Sequence, residues 1–305
     1  MRTLVTGGAG FIGSHVVDAL LDDGHDVAVV DDVSTGRREN LASALRRGAM
    51  LLESDVLDAP AMQALLESQR PEAVVHMAAQ IGVRRSVADP AHDVLINVAG
   101  TASVLEAARA AGTRRFVFAS TGGGLYGDAT TLPTPEDAAI APMSPYGTSK
   151  AAAETYLELY ERLHGLSTLS LRMANVYGPR QNPLGEGGVV ARFCAALREG
   201  RSVTVFGDGR QTRDLVYVGD VAAAFAAAVS SDARGALNLG TGAETTVLQL
   251  AELLGVETQF APARLGEVRR SCLECARAAE ALGWRATTSL PEGLARTRDW
   301  VVAAA

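Results

Sequence analysis

Two short strings in the chain carry residue types and spacings that can do chemistry. The first, Thr6-Gly7-Gly8-Ala9-Gly10-Phe11-Ile12-Gly13, follows an apolar run and opens a helical pattern. Gly7, Gly10 and Gly13 supply a tight turn, close approach to a pyrophosphate and close packing of helix on sheet. The helix start, at Phe11 and Ile12, adds free N–H groups and the positive end of a dipole. The second apolar run ends in Val29-Val30-Asp31-Asp32, which puts Asp31 18 residues beyond Gly13. A carboxylate there accepts both ribose hydroxyls of an adenosine and repels a 2′-phosphate, so the spacing favours NAD over NADP. Capping of a turn is the bland role for Asp31, and the glycines outweigh it. Asp32 beside it, and Asp55-Val56 after the third run, are expected near the adenosine.

The second string, Tyr146-Gly147-Thr148-Ser149-Lys150, sets a phenol and an ammonium four residues apart on one helix face. A phenol that ionises near pH 10 is a poor base; bringing it to about 7 takes about 4 kcal/mol of differential stabilisation. A nearby ammonium and a positively charged nicotinamide ring both favour the phenolate. The bland reading is a half-buried Tyr beside a solvated Lys. Against it stand the upstream glycines and the composition: of 28 basic residues 27 are Arg, and Lys150 is the one Lys. Arg does not replace Lys where a compact ammonium is required.

These groups need a scaffold. Thr3–Thr6, Asp26–Val30, Ala49–Glu53, Ala73–His76 and Arg115–Ser120 read as buried strands. Helical patterns over Ile12–Leu21, Ala61–Glu67 and Ala91–Ala110 alternate with them, and a long helix is expected from Pro145 to His164, capped by Ser144. Strands alternating with helices make an α/β fold, a doubly wound parallel sheet of Rossmann type. Beyond Leu166 the pattern loosens into a Gly-, Pro-, Asn- and Gln-rich stretch, then a helix at Val189–Glu199 and a strand at Val203–Phe206. The expected division is a dinucleotide-binding domain over 1–170 and a smaller α/β substrate domain over 171–305, some of whose segments return to the first.

Composition narrows the field. The 305 residues carry 35 acidic side chains against 28 basic ones, a net charge of −7, with 48% hydrophobic residues. That excludes intrinsic disorder and argues against a general nucleic-acid or membrane-surface binder. The longest apolar run, Val221 to Val229, is too short for a bilayer, which takes about 20 residues. With three cysteines and no leader pattern, the expected location is the cytoplasm. Cys272-x-x-Cys275 lacks the further ligands of a zinc site, so no metal is expected. His76 is expected to be structural.

The fingerprint Thr6–Gly13, the Tyr146/Lys150 pair and His76-Met77-Ala78-Ala79 resemble the extended short-chain dehydrogenase/reductase family. Asn97-Val98-Ala99-Gly100-Thr101, Val176-Tyr177-Gly178-Pro179-Arg180 and Gln211-Thr212-Arg213-Asp214 strengthen the match. Together they look like the NAD-dependent nucleotide-sugar 4-epimerases over essentially the whole chain. The resemblance implies that Tyr146 takes the proton of the sugar 4-hydroxyl while C4 passes a hydride to NAD, after which the 4-keto sugar turns and takes it back on the other face. It implies Lys150, Ala78, Ala79 and Asn97 at the cofactor, and a homodimer through paired long helices. A Ser or Thr after the fourth main strand shares the sugar hydroxyl in this family. Here Ser120-Thr121-Gly122-Gly123-Gly124-Leu125-Tyr126 has one residue more than the common pattern, so Thr121 is expected first and Ser120 second.

The same resemblance bears on the reaction. Relatives that dehydrate carry an acidic pair after that Thr, and decarboxylating relatives keep a Glu; this chain has Gly122 and Gly123. Closed-cycle epimerisation remains. Arg213 and Arg269 match diphosphate positions, Asn175 a diphosphate or sugar position, and Phe206 is expected to flank the uracil. Arg192, in Val189-Val190-Ala191-Arg192-Phe193, replaces an apolar residue beside Val190 at the sugar. A buried Arg facing a neutral 6-hydroxymethyl lacks a partner, whereas a 6-carboxylate gives it a bidentate one. The favoured substrate on that argument is UDP-glucuronate; UDP-glucose or UDP-N-acetylglucosamine is the alternative. A catalytically silent NAD-binding scaffold is the competing class.

Overall fold

The computed structural model describes residues 1–183, 188–262 and 268–303. Six strands alternate with helices in the first half: β1 Arg2–Thr6, β2 Asp26–Asp31, β3 Met50–Glu53, β4 Ala73–His76, β5 Arg115–Thr121 and β6 Ser167–Met173. With the Gly235–Leu239 strand they form one seven-stranded parallel sheet. Its order runs from Gly235–Leu239 through β6, β5, β4, β1 and β2 to β3. β1 thus pairs with both β2 and β4, and the chain reverses its direction of winding there. That crevice, at the carboxyl ends of the strands, is where doubly wound sheets bind ligands. Strands buried on both faces explain the near-continuous Val, Leu and Phe of the sequence runs.

Helix α1, Phe11–Asp22, buries Val16, Val17 and Leu20 on the sheet. The expected helix over Ala91–Ala110 is three pieces: an α-helix Pro90–Val94, a π-helical turn Leu95–Gly100 and an α-helix Thr101–Ala110. The long helix spans Pro145–His164 as expected, with the Ser144 hydroxyl accepting from the Gly147 amide and Gly165 ending it in the left-handed region. The Gly235–Leu239 strand is the one that brings the second half of the chain back into the sheet. The remaining strands form three small pairs, Asn175–Tyr177 with Leu215–Tyr217, Thr212–Arg213 with Thr245–Thr246, and Val203–Phe206 with Thr258–Ala261. They pack, with the Val189–Arg198 helix, around a core that includes Tyr177, Phe193, Tyr217 and Leu250. Among the described residues no helix is long and apolar enough to cross a membrane.

Candidate active site

The glycines leave no room for side chains. A Cβ on Gly13 would stand 2.2 Å from the Gly7 carbonyl oxygen, and one on Gly7, which has a φ of +68°, would stand 2.6 Å from the Ala78 amide nitrogen. Gly10 caps α1 without any side-chain hydrogen bond, so its first-turn amides stay available to a ligand. Asp31 is buried behind this turn, and its two oxygens accept from the Ala9 and Val33 amides at 2.8 Å each. Val33 reaches it from a φ of +56°, a costly position for a β-branched residue that the sequence does not reveal. Burial pushes the Asp31 carboxyl up, against the pull of those two amides. A glycine cradle, an open helix start and a carboxylate at the second strand end fit the pyrophosphate and adenosine ribose of a dinucleotide.

The other expected cofactor positions have the following surroundings. Asp32 is exposed and holds its own turn through the Ser34 amide and hydroxyl. Asp55 is exposed and accepts from the Leu57 amide, while Val56 is buried and sits where a Cβ on Gly100 would meet it. Asn97 spends its whole amide on the protein: Oδ1 accepts from the Gln80 N–H, and Nδ2 donates to the Gln80 carbonyl and to Asp93. It shapes the Ala78–Gln80 loop. Ala78 is fixed by its amide on the Thr6 hydroxyl, and Ala79 is half-buried in the same loop.

Tyr146 and Lys150 face the end of β5. The Thr121 side chain is the hydrogen-bonding neighbour of the Tyr146 phenol, and the ring lies against the position a Gly124 Cβ would take. Thr121 also accepts from the Gly124 amide at 3.2 Å, capping a helical turn over Gly122–Leu125. That turn absorbs the extra residue of the sequence and leaves Thr121 at the phenol. Ser120 points elsewhere: it is buried and donates to Glu154 Oε1 at 2.5 Å. Lys150 is buried, donates to the Ala119 carbonyl at 2.9 Å and stands 4.5 Å from the Phe118 ring centre.

Burial pushes the Tyr146 phenol up to about 12, with the Asp93 charge adding to it and the Thr121 hydrogen bond opposing it. Burial pushes the Lys150 ammonium down to about 8, opposed by Asp93 and Glu154. Burial thus dominates both groups in the protein alone, and the positive ring of a bound oxidised dinucleotide would favour the phenolate. His76 is structural, as expected. Its Nδ1 lies 2.7 Å from the Thr6 hydroxyl and its Nε2 3.1 Å from that of Thr101, which itself donates to the Asn97 carbonyl. The network assigns a neutral ring with the proton on Nε2, and burial with the Lys150 charge holds its value down to about 3.

Several residues at the site escape sequence reading. Asp93 lies fully buried beneath the first turns of the long helix and accepts from Gln80, Asn97 and Ser149. Glu154 sits four residues beyond Lys150 and pairs with Arg172 at 2.7 Å, both buried, while Arg172 also reaches the Tyr126 hydroxyl. That spacing repeats the Tyr146–Lys150 step, a signal available in the sequence. Ser271 and Asn175 converge on Gly123, whose Cβ would lie 3.7 Å from Ser271 Oγ and 3.8 Å from Asn175 Oδ1. A Cβ on Gly122 would stand 2.4 Å from the Leu273 side chain.

The expected diphosphate and base positions come together at one end of the second half. The Thr212 amide donates to the Arg269 carbonyl, and the Arg269 guanidinium pairs with Asp208 at 3.0 Å. Arg213 extends from the same strand, and Phe206 is half-buried two residues before Asp208. Asp214, next in the string, accepts from Thr241, Gly242 and Leu273, so it anchors loops. Val190 is buried in the core around Tyr177. Arg192 is exposed, so no desolvated guanidinium calls for a carboxylate partner. The segment between Asn182 and Gly188, expected to border the sugar, lies outside the described residues at 184–187. Cys272 and Cys275 are free thiols that burial pushes up to about 12, poor nucleophiles both.

Comparisons with known proteins agree with this geometry. Residues 3–240 match the model of the NAD dependent epimerase/dehydratase family. The chain is 48% identical to the UDP-glucose 4-epimerase of Mycolicibacterium smegmatis, with 98% of each chain covered. It superposes on the Thermotoga maritima UDP-glucose 4-epimerase with UDP-glucose at a TM-score of 0.96, with 45% identity over 100% of this chain and 99% of that one. The Thermus thermophilus UDP-glucose 4-epimerase complex with NAD gives a TM-score of 0.92, with 43% identity and both chains fully covered.

Proposed function

The chain belongs to the NAD dependent epimerase/dehydratase family, and we propose that it is a UDP-glucose 4-epimerase, interconverting UDP-glucose and UDP-galactose. The observation that carries this reading is the meeting of Tyr146, Thr121 and Lys150 at the end of β5, beside the glycine cradle, with no acid side chain following Thr121. Held in the cradle, NAD supplies a hydride acceptor and a positive ring. Tyr146 takes the proton of the sugar 4-hydroxyl and returns it after the keto sugar has turned; Thr121 steadies that hydroxyl. Lys150 keeps N–H groups for the nicotinamide ribose. Arg213 and Arg269 hold the diphosphate and Phe206 the uracil.

Elimination chemistry lacks its acid and base. At Gly122 a carboxylate side chain would strike Leu273, and Gly123 offers only space. UDP-glucuronate rested on a buried Arg192; with Arg192 exposed, UDP-glucose takes its place, supported by relatives 48% and 45% identical. A homodimer suits the exposed apolar side chains of Ile81, Val83, Val87, Val94 and Leu95, on segments beside the long helix.

The test is to incubate the purified protein with UDP-glucose and follow the anomeric proton by NMR without added NAD. UDP-galactose should accumulate to a fixed ratio. Accumulation of a keto-deoxy sugar or a pentose, or turnover confined to UDP-glucuronate, overturns the proposal.

A further inference from the structure

Lys150 poses a problem of charge. The residue is 3% exposed, yet among the described residues its one hydrogen bond goes to a neutral carbonyl, Ala119 O, and it meets no carboxylate at ion-pair distance. An isolated buried cation is costly and tends to shed its proton. The charged and titratable groups around it are few. From its own helix come Tyr146 and Glu154; from β4 comes the neutral His76; from the Pro90–Val94 helix comes Asp93. Glu154 is already engaged by Arg172 through Oε1 and Oε2. Asp93 has no cationic partner among the described residues. It is 0% exposed and held by three neutral donors, Gln80 Nε2 at 2.7 Å, Asn97 Nδ2 at 3.1 Å and Ser149 Oγ at 2.6 Å.

We propose that Asp93 is the counter-charge of Lys150, a positioning residue that keeps the ammonium protonated without touching it. Distance is the point of the arrangement. A direct ion pair would occupy the N–H groups that the lysine needs for a ligand, whereas a carboxylate pinned by Gln80, Asn97 and Ser149 acts only through its field. The three donors explain why so polar a cluster lies in the core: they satisfy a carboxylate whose charge is used by its neighbour. The π-helical turn Leu95–Gly100 belongs to the same device, since it carries Asn97 to both Asp93 and the Gln80 backbone. The field reaches the phenol as well and opposes its ionisation, so Asp93 holds both members of the pair toward their protonated forms.

The inference rests on the reading of Tyr146 and Lys150 as the working pair, but its test needs no sugar. Because Lys150 is the one lysine, protein grown with lysine ¹³C-labelled at Cε gives a single lysine resonance. Its titration should move to lower pH by about one unit or more in Asp93→Asn. It should stay in place in Ser149→Ala, which removes a hydrogen bond and keeps the charge. In the parent-like assay with UDP-glucose, both limbs of the kcat–pH profile should move to lower pH together in Asp93→Asn. A lysine titration that does not move, or one that Ser149→Ala moves as far, overturns the proposal. Should Asp93→Asn not fold, Asp93→Glu decides: the charge is kept while the bonds are disturbed, so the titration should match the parent, and a downward move of a unit overturns the idea. None of these titrations depends on which sugar is turned over.

Discussion

The two ends of the cleft are built on different principles. At the sheet end, most polar groups are buried and paired within the protein: Asp31 on two amides, Asp93 on three donors, Arg172 on Glu154, His76 between two threonines. At the nucleotide end, the cationic groups lie near water, as with Arg269 on Asp208, a pair 69% and 48% exposed. Such a pair is worth little and exchanges easily for a diphosphate. On the proposed reading the comparison teaches a division of labour: the sheet end is set before any ligand arrives, and the nucleotide end would exchange its exposed ion pairs for one.

The largest expected effect lies at the sheet end. Tyr146→Phe should lower kcat by about 10³- to 10⁴-fold while bound NAD, measured by absorbance after denaturation, is retained. Loss of NAD with activity would mean that the phenol holds the cofactor instead. Next, Arg172→Ala should cost about 3–5 kcal/mol in a urea melt, because it strands the buried Glu154; a cost below about 1 kcal/mol would show that the network is not preset. At the nucleotide end, Arg269→Ala should raise KM for UDP-glucose about tenfold and leave kcat and the melt alone. If kcat fell as far as KM rose, the two ends would not be separable in this way.

Acid sensitivity sharpens the contrast. His76, buried, and His15, half-buried, are held down to about 3 and about 4 and resist protonation when folded but not when unfolded. Their stabilisation is complete above the ordinary imidazole value of 6.5 and is lost as pH falls toward those lower values. Tm should therefore decline from pH 6.5 downward, and His76→Gln should flatten that slope. The smallest effect is expected from Arg192→Ala, less than about twofold in kcat/KM for UDP-glucose or UDP-glucuronate, since an exposed side chain is lost.

Legibility follows the same division. The placement of Gly7, Gly10, Gly13 and Asp31 was readable because strand–turn–helix geometry fixes their spacing, and that of Tyr146 and Lys150 because they lie four apart on one helix. The limits of β4 and of the long helix were readable from apolar runs and a Ser-Pro start. The partner of Asn97 was not legible, because it is the Gln80 backbone across a π-helical turn, and no periodicity announces such a turn. Ser120 and Thr121 were separable only once the Gly122–Leu125 turn was seen to take up the additional residue. Arg192 misled because helical spacing says which face a residue is on, not whether another element covers that face.

The central claim is that Tyr146 opens and recloses C4 while one bound dinucleotide carries the hydride out and back. UDP-glucose deuterated at C4, given to the purified protein in ordinary water without added dinucleotide, tests it directly. UDP-galactose with the deuterium still on C4 is the predicted product. Deuterium washed into solvent, or found on C6, would contradict the account.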